Sequence, residues 1–177
     1  MITFEEAKEL SKGYKVVPIS MEIMSDIRTP MQVLRILKGV SSHCYMLESV
    51  ENQEKWGRYT FLGYDPKLEI TCTNGVMTVK NGKTKVSEVK HPGEKIKEIL
   101  KEYTSPKIKE FPTFTGGLVG YFSYDYIKYS EPKLNLDAND EEGFKDVDLM
   151  LFDKVIAFDN FSQKIIVIAN ARTENLR

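Results

Sequence analysis

Histidine and cysteine are scarce in this chain of 177 residues, which contains two of each. His43 and His91 have neither an acidic partner nor a second ligand nearby in sequence, so we expect no catalytic or metal-binding role for either. Cys44 and Cys72 lie in separate strand-like runs and have no second pair with which to form a zinc site or a disulfide framework. We interpret them as small core residues in a reducing compartment.

The chain also lacks an excess of charge of one sign and a long apolar run. It has 25 Lys and Arg against 26 Asp and Glu, a net charge of -1 with no basic stripe, which argues against nucleic acid as a partner. The longest apolar stretch, Val147 to Phe158, is interrupted by charged residues and does not reach membrane-spanning length. The acidic, amphipathic N-terminus is unlike a signal peptide. These absences predict a cytoplasmic protein without a membrane contact.

What the chain does contain is mostly strand patterns. Its length fits one domain with a substantial core. Asn74-Gly75 and Asn81-Gly82 separate three strand-like runs between residues 68 and 87, which predicts a tight three-stranded meander. A long strand over 147–158 is expected to pair with 164–169. Because most predicted strands are joined by short turns, we expect an α+β fold with antiparallel β-sheets and flanking helices.

Three helices and one edge strand are predicted from local signals. Helices are expected from the capping box of Thr3 and Glu6 to near Gly13, from Thr29-Pro30 onward, and from His91-Pro92-Gly93 onward. The apolar face of the second helix is assigned to Val33, Ile36, Leu37 and Val40. Alternating Val17, Ile19, Met21 and Ile23 predict a half-buried strand, which Pro18 places at a sheet edge or near the strand's beginning.

The polar pair Glu48 and Ser49 stands at the end of a strand-like run. A carboxylate is costly to bury unless something pairs with it, so Glu48 is either a solvated strand end or part of a polar site. Neighbouring strand residues face one pocket together only where the strand ends or bulges. A carboxylate can hold an ammonium group and a hydroxyl can donate to a carboxylate, which is chemistry suited to a free amino acid. On these residues alone, the solvated strand end is the favoured interpretation.

No set of residues in the sequence combines a nucleophile, a base and a group that orients them. Ser49 lacks the elbow motif of a serine hydrolase. Gly116-Gly-Leu-Val-Gly120 is not completed by a helix N-terminus or a Lys-Ser/Thr pair, so we interpret its glycines as a bulge or close backbone packing rather than a phosphate loop. Arg58, which stands among aromatic residues, is expected to support the fold.

Several separated motifs resemble the N-terminal region of the anthranilate synthase component I family, which belongs to the chorismate-utilising enzymes. The resemblance covers nearly the whole chain, and its motifs occur in the family's order: Pro18-Ile19-Ser20, Met46-Leu-Glu-Ser49, Trp56-Gly-Arg-Tyr-Thr-Phe-Leu-Gly63 with Asp65-Pro66, and Gly116-Gly-Leu-Val-Gly-Tyr-Phe-Ser-Tyr-Asp125.

The resemblance implies a lyase of tryptophan biosynthesis that converts chorismate and ammonia into anthranilate and pyruvate. It also implies an α/β/β/α sandwich and a glutamine amidotransferase subunit, component II, as the ammonia source. Magnesium ligands and chorismate-binding residues are expected in a C-terminal half beyond this chain. Residues 1–177 would then be the N-terminal domain of a longer enzyme and inactive alone.

The resemblance further implies that Leu47, Glu48 and Ser49 belong to the site at which L-tryptophan binds as a feedback inhibitor. Met46 replaces the family's usual leucine, a change of one apolar residue for another of similar volume. Two alternatives remain open. One is the N-terminal region of aminodeoxychorismate synthase component I, and the other is a non-catalytic amino-acid-binding module. The run Met-Leu-Glu-Ser-Val followed by Trp-Gly-Arg-Tyr favours the anthranilate enzyme.

Overall fold

The computed structural model describes residues 3–48, 57–131, 133–134 and 140–176. Within these residues there are three α-helices: α1 (Phe4–Leu10), α2 (Pro30–Val40) and α3 (Pro92–Lys101). The same residues form ten strands: β1 (Val16–Met24), β2 (Cys44–Leu47), β3 (Tyr59–Tyr64), β4 (Leu68–Thr73), β5 (Val76–Asn81), β6 (Lys83–Glu88), β7 (Gly117–Phe122), β8 (Val147–Phe152), β9 (Lys154–Asp159) and β10 (Lys164–Arg172). None of the described helices has the length and apolar character needed to cross a membrane.

The strands form two five-stranded antiparallel sheets, which confirms the predicted α+β class. The chain divides into two compact units. The first comprises Met1–Pro66, Tyr103–Gly117 and Phe152–Arg177, and its sheet has the order β1-β10-β9-β3-β2. The second comprises Lys67–Glu102 and Leu118–Leu151, and its sheet has the order β6-β5-β4-β8-β7.

Helix α2 of the first unit packs on one face of the sheet. Both bonds of a capping box are present at its start, where Thr29 and Gln32 each accept from the other's backbone N–H. Leu37 is buried with Leu62, Phe158 and Ile165, and the other α2 residues at this core are Val33 and Leu34. The predicted apolar face was therefore wrong in part, because Ile36 and Val40 are exposed. The contact face runs along Val33, Leu34 and Leu37 instead.

Strand β1 is an edge strand that contains Pro18, as predicted, but its burial differs from the expected alternation. Val17 is buried against Ala7 of α1, whereas Ile19, Met21 and Ile23 are exposed. Helix α2 packs on β2 and β3, at the opposite edge of the sheet from β1. The same face of the sheet is therefore not covered by α2 at β1. Position in the sheet, rather than the residue pattern, decides the burial.

In the second unit, the predicted meander is confirmed as β4, β5 and β6. Asn74 and Gly75 both have positive φ at the first turn, the conformation for which Asn-Gly pairs are suited. Gly120 on β7 is also structural, because an added Cβ would overlap the backbone oxygen of Asp148. The interpretation of the glycine run as close backbone packing is therefore confirmed at this position.

The single strand predicted over 147–158 is wrong. It is divided at Asp153, and its halves β8 and β9 belong to different sheets. The Asp153 carbonyl accepts hydrogen bonds from both the backbone and the side chain of Asn170, at the point where the chain passes from one sheet to the other. The predicted pairing with 164–169 is confirmed for β9.

Substitution of Gly63 tests the packing between β2 and β3 inside the first unit. A Cβ at Gly63 would overlap the ring of Tyr45, which is itself held edge-on by Phe152 at 4.7 Å between ring centroids. We expect Gly63→Ala to lower the free energy of unfolding by about 1–3 kcal/mol, the usual cost of overpacking. In a Tyr45→Ala background this cost should largely disappear.

Gly39→Ala is the matched control, because nothing lies within 4 Å of a Cβ at that helical position. It should leave stability unchanged or raise it, since alanine is favoured over glycine in helices by about 1 kcal/mol. Denaturant unfolding of the four variants gives the comparison. Equal costs for Gly63→Ala in both backgrounds would contradict the packing described here.

Candidate functional site

The end of β2 places two of the predicted site residues side by side. Leu47 is the last residue of β2, is 48% exposed and pairs with Phe61 of β3. Glu48 follows directly, is exposed, and makes no hydrogen bond or ion pair to any other part of the chain that the structure describes. Ser49 lies outside the described residues. Leu47 and Glu48 therefore form an accessible strand end with an available carboxylate.

An aromatic surface lies on the side of the sheet to which Leu47 belongs. We call Tyr45, Tyr59, Phe61 and Phe114 the aromatic face. Phe61 stands edge-on to Phe114 and tilted to Tyr59, with centroid distances of 5.6 Å in both pairs. Since paired residues of neighbouring strands share a side of the sheet, Leu47 and Phe61 lie on the same side. All four rings are only partly buried, so an apolar group could pack beside them.

Tyr45 adds a polar group to this side of the sheet. Its ring lies edge-on to Phe114 and Phe152, and its hydroxyl is buried without a hydrogen-bond partner among the described residues. Burial raises the pKa of the Tyr45 hydroxyl well above its usual range, so it stays protonated and can donate. A buried hydroxyl without a partner is costly, and a ligand or water that accepts from it would remove that cost.

Arg58 and the β9–β10 turn hold the start of β3. The Nε and Nη2 atoms of Arg58 donate to the two carboxylate oxygens of Asp159 at 3.1 and 2.6 Å. The backbone carbonyl of Arg58 accepts from Asn160 N at 2.8 Å. The Arg58 guanidinium also lies 4.9 Å from the centre of the Tyr59 ring. We call Arg58, Asp159 and Asn160 the turn clasp.

The turn clasp stabilises the fold although it buries the charge of the Asp159 carboxylate. Asp159 is 3% exposed, and its Oδ1 also accepts from the backbone N–H groups of Phe161 and Ser162. Burial alone raises the pKa of Asp159, but hydrogen bonds from Arg58 and Ser162 outweigh it. The pKa of this carboxyl therefore lies well below its usual range. Asp159 thus remains an anion under neutral conditions and keeps Arg58 in place.

The register puts the turn clasp and Glu48 at the same end of the β2–β3 pair. Leu47 faces Phe61, so the chain leaves β2 at the end where Arg58 enters β3. Residues 49–56, outside the described part, connect these two points. The turn clasp therefore anchors the far end of the segment that begins with the predicted site residues.

The described residues do not fit a metal site. Among them, no three His, Cys, Asp or Glu side chains lie close enough together to share an ion. The magnesium implied by the resemblance therefore finds no set of ligands in this part of the chain, and no chemical step is derived through it.

Asp159 and the aromatic face were not singled out from the sequence. In the sequence, Asp159 is a turn residue after a strand, without a local signal of its role. Its partner Arg58 is 101 positions away. The signal in the sequence is Arg58 among aromatic residues, because an arginine in such a setting often pairs with a carboxylate. Phe114 joins Phe61 only through the tertiary fold.

Comparison with known proteins adds the family context. The model of the chorismate binding enzyme family matches residues 42–176. Anthranilate synthase component 1 of Acetivibrio thermocellus is 34% identical over 169 residues, covering 95% of this chain and 34% of that protein. The same component of Acinetobacter calcoaceticus is 35% identical over 176 residues, covering 96% of this chain and 35% of that protein. Anthranilate synthase alpha subunit 2, chloroplastic, of Arabidopsis thaliana is 33% identical over 187 residues, covering 98% of this chain and 30% of that protein.

A solved structure agrees with these sequence relatives. The crystal structure of anthranilate synthase component I from Streptococcus pneumoniae TIGR4 matches with a TM-score of 0.54 and 27% identity, covering 86% of this chain and 32% of that chain. The predicted resemblance to anthranilate synthase component I is confirmed. The chain spans about a third of the length of the curated relatives that it matches.

The turn clasp predicts a specific pH dependence of stability. The folded-state pKa of Asp159 is lowered from the ordinary 3.8, so its stabilising effect is present above about pH 4 and is lost as the pH falls toward the folded-state value. Asp159→Asn should therefore cost about 1–3 kcal/mol at pH 7, and this difference from the parent should shrink below about pH 4. Denaturant unfolding at pH 7, 5, 4 and 3 measures it.

Glu22→Gln serves as the control, because it removes an exposed ion pair with Lys164 from the same sheet. Its cost at pH 7 should stay below about 1 kcal/mol. A constant difference between Asp159→Asn and the parent across all four pH values would contradict the lowered pKa.

Proposed function

This chain belongs to the chorismate-binding enzyme family, and on that premise we propose that it is the tryptophan-sensing part of an anthranilate synthase component I. In this proposal the whole enzyme is a lyase that forms anthranilate and pyruvate from chorismate and ammonia. A glutamine amidotransferase subunit, component II, supplies the ammonia, and L-tryptophan acts as the feedback inhibitor.

One observation supports the proposed tryptophan-sensing role. The strand end of Leu47 and Glu48 combines an available carboxylate with a partly exposed aromatic face. A solvated strand end requires only the exposed carboxylate. Aromatic side chains prefer edge-to-face and offset arrangements, and the open rings beside Leu47 offer these to an indole. The combination therefore supports a ligand that carries both an ammonium group and an aromatic ring.

Each part of tryptophan has a partner in this proposal. The ammonium group pairs with Glu48 in a charge-assisted hydrogen bond. The Ser49 hydroxyl donates to the carboxylate, and the indole packs against Leu47 and the aromatic face. Arg58 is already bound to Asp159, so it acts by holding the segment rather than by touching the ligand. Its role is positional.

Inhibition follows from a difference in affinity between two states of the enzyme. An effector shifts an equilibrium only by the ratio of its affinities for the two states, and such coupling energies are typically about 1–3 kcal/mol. Tryptophan would favour the state in which the catalytic half is poorly arranged for chorismate. The turn clasp supports this mechanism because it holds Arg58, at the start of β3, against the turn between β9 and β10.

The rest of the proposal concerns parts beyond this chain. In this proposal, magnesium ligands and chorismate-binding residues belong to the remaining length of the enzyme, since this chain spans about a third of its relatives. The relatives' names, component 1 and alpha subunit, support a second component. A cytoplasmic location stays a prediction from the sequence.

Ser49 provides the functional test, made in the complete natural enzyme. With chorismate, ammonia and magnesium, we expect anthranilate as the product. Ser49→Ala should raise the tryptophan inhibition constant at least tenfold, because a hydrogen bond to a charged group is worth about 1.5–3 kcal/mol. Turnover without tryptophan should remain near that of the parent, since Ser49 does not contact chorismate in this account.

Ser87→Ala is the matched control, because Ser87 is an exposed strand residue of the second unit. Its inhibition constant should equal that of the parent. Equal inhibition constants for Ser49→Ala and the parent would reject the site. Aminodeoxychorismate in place of anthranilate would reject the assigned reaction and favour the folate-pathway alternative.

A further inference from the structure

One asparagine joins the two backbone segments that carry Phe114 and Phe152. Asn170 lies on β10, and its Nδ2 atom donates to the Thr115 carbonyl at 2.7 Å and to the Asp153 carbonyl at 3.0 Å. Thr115 directly follows Phe114, and Asp153 directly follows Phe152. An amide nitrogen carries two N–H donors, so this one group can serve both carbonyls. The hydrogen bonds of Asn170 therefore set the distance between two segments that are far apart in sequence.

Both of these aromatic rings contact Tyr45. Phe114 and Phe152 stand edge-on to the Tyr45 ring, with centroid distances of 6.5 and 4.7 Å. Tyr45 lies on β2 two positions before Leu47, and alternate residues of a strand share a side of the sheet. The spacing that Asn170 sets therefore reaches the ring nearest along the strand to the predicted tryptophan-binding residues.

Asn170 lies on the side of the sheet that carries the aromatic face. Ile166 and Ile168 precede it on β10 by four and two positions, so all three side chains share a side. The two isoleucines are buried in the core against which Phe61 and Phe114 pack. The Asn170 amide is therefore in the same layer of side chains as these rings, rather than on the face that α2 covers.

Phe114 depends on such side-chain contacts for its position. Residues 103–116, between α3 and β7, form neither helix nor strand, so no sheet ladder fixes the backbone of Phe114. Its ring packs on Phe61 at 5.6 Å between centroids, and the Asn170 hydrogen bond holds the next residue, Thr115. Segments outside the regular elements open at a lower free-energy cost than strands do. A change at Asn170 can therefore shift the Phe114 ring while the sheet stays folded.

The lack of a side chain at Gly116 fits the close approach of this amide. A Cβ at Gly116 would lie 2.7 Å from Asn170 Nδ2 and 3.0 Å from the Phe152 carbonyl oxygen, and Gly116 has a φ of +150°. Residues with a side chain rarely adopt such a φ. The backbone after Phe114 is thus shaped to receive the Asn170 side chain at close range.

We propose that Asn170 is a positioning residue of the tryptophan site, which holds the Phe114 ring in place on the aromatic face through Thr115. The inference rests on the proposed function, since it concerns the indole contacts of that same site. Three observations support it: one amide spans two carbonyls, the segment of Phe114 has no ladder of its own, and Phe114 contacts both Tyr45 and Phe61. Asn170 itself does not touch the ligand in this account, and it acts on feedback inhibition only through Phe114.

A double-mutant cycle in the complete natural enzyme tests this inference. Phe114→Ala removes one aromatic contact with the indole and should raise the tryptophan inhibition constant about two- to tenfold. Asn170→Asp keeps the size of the side chain but presents only acceptors to the two carbonyls, so it should raise the inhibition constant within the same range. The double variant should match Phe114→Ala alone, because the ring through which Asn170 acts is already missing.

A second readout separates positioning from a general loss of structure. Without tryptophan, the Michaelis constant for chorismate should change less in Asn170→Asp than the inhibition constant does. Asn81→Asp is the matched control, since it makes the same change at an exposed asparagine of the second unit and should keep the parent's inhibition constant. If Asn170→Asp does not fold, Asn170→Ser takes its place in the cycle. Its hydroxyl donates to one carbonyl only, so its smaller effect should likewise vanish in the Phe114→Ala background.

Independent effects of the two substitutions, in which the double variant shows the product of the two single changes, would overturn the inference. An Asn170→Asp enzyme that loses stability but keeps the parent's inhibition constant would overturn it as well. Either result, obtained with a parent enzyme that tryptophan inhibits, leaves the proposed function intact. A parent that tryptophan does not inhibit would reject the tryptophan-sensing function, and this inference with it.

Discussion

The bidentate ion pair between Arg58 and Asp159 is the constraint on which the candidate site depends. Asp159 is almost fully buried, and such a carboxylate is tolerated only when its oxygens are well paired. Arg58, Phe161 N and Ser162 N supply those partners, while Asn160 N binds the Arg58 carbonyl. The turn between β9 and β10 thereby holds the first residues of β3. Residues 49–56 join this point to Glu48. The turn clasp therefore fixes the position at which the chain enters β3 after the proposed tryptophan-binding residues.

The two faces of the first sheet differ in what packs against them. One face is covered by α2 on the side of β2 and β3, where Leu37 packs on Leu62, Phe158 and Ile165. The other face has a core of its own, in which Val155, Ala157, Ile166 and Ile168 are buried and Tyr59, Phe61 and Phe114 pack against them. The rings of the aromatic face are still only partly buried, and Leu47 and Glu48 stand at its edge. A site built from strand ends on a packed sheet can bind a ligand with little reorganisation, which lowers the cost of binding.

Local features of the fold could be predicted from the sequence, whereas features set by distant contacts could not. The capping residues Thr3 and Thr29 and the Asn74-Gly75 turn act within a few positions, so their patterns were sufficient. The exposure of Ile19, Met21 and Ile23 depends on where the helices lie over the sheet, and the break at Asp153 depends on a bond to Asn170. The partner of Arg58 is likewise set by the tertiary fold. For Leu47, Glu48 and Ser49, the residues alone favoured a solvated strand end, and only the family resemblance pointed to tryptophan.

Hydrogen exchange of the complete enzyme, followed with and without L-tryptophan, tests the central claim most directly. We expect slower amide exchange on tryptophan binding along 44–48, which contain β2 and Glu48, and along 57–63, which contain Arg58 and most of β3. Exchange in β6, an exposed edge strand of the second unit, should be unchanged and serves as the internal reference. Saturating tryptophan that inhibits the enzyme but leaves exchange along 44–48 and 57–63 unaltered would contradict the account, because the effector would then bind elsewhere.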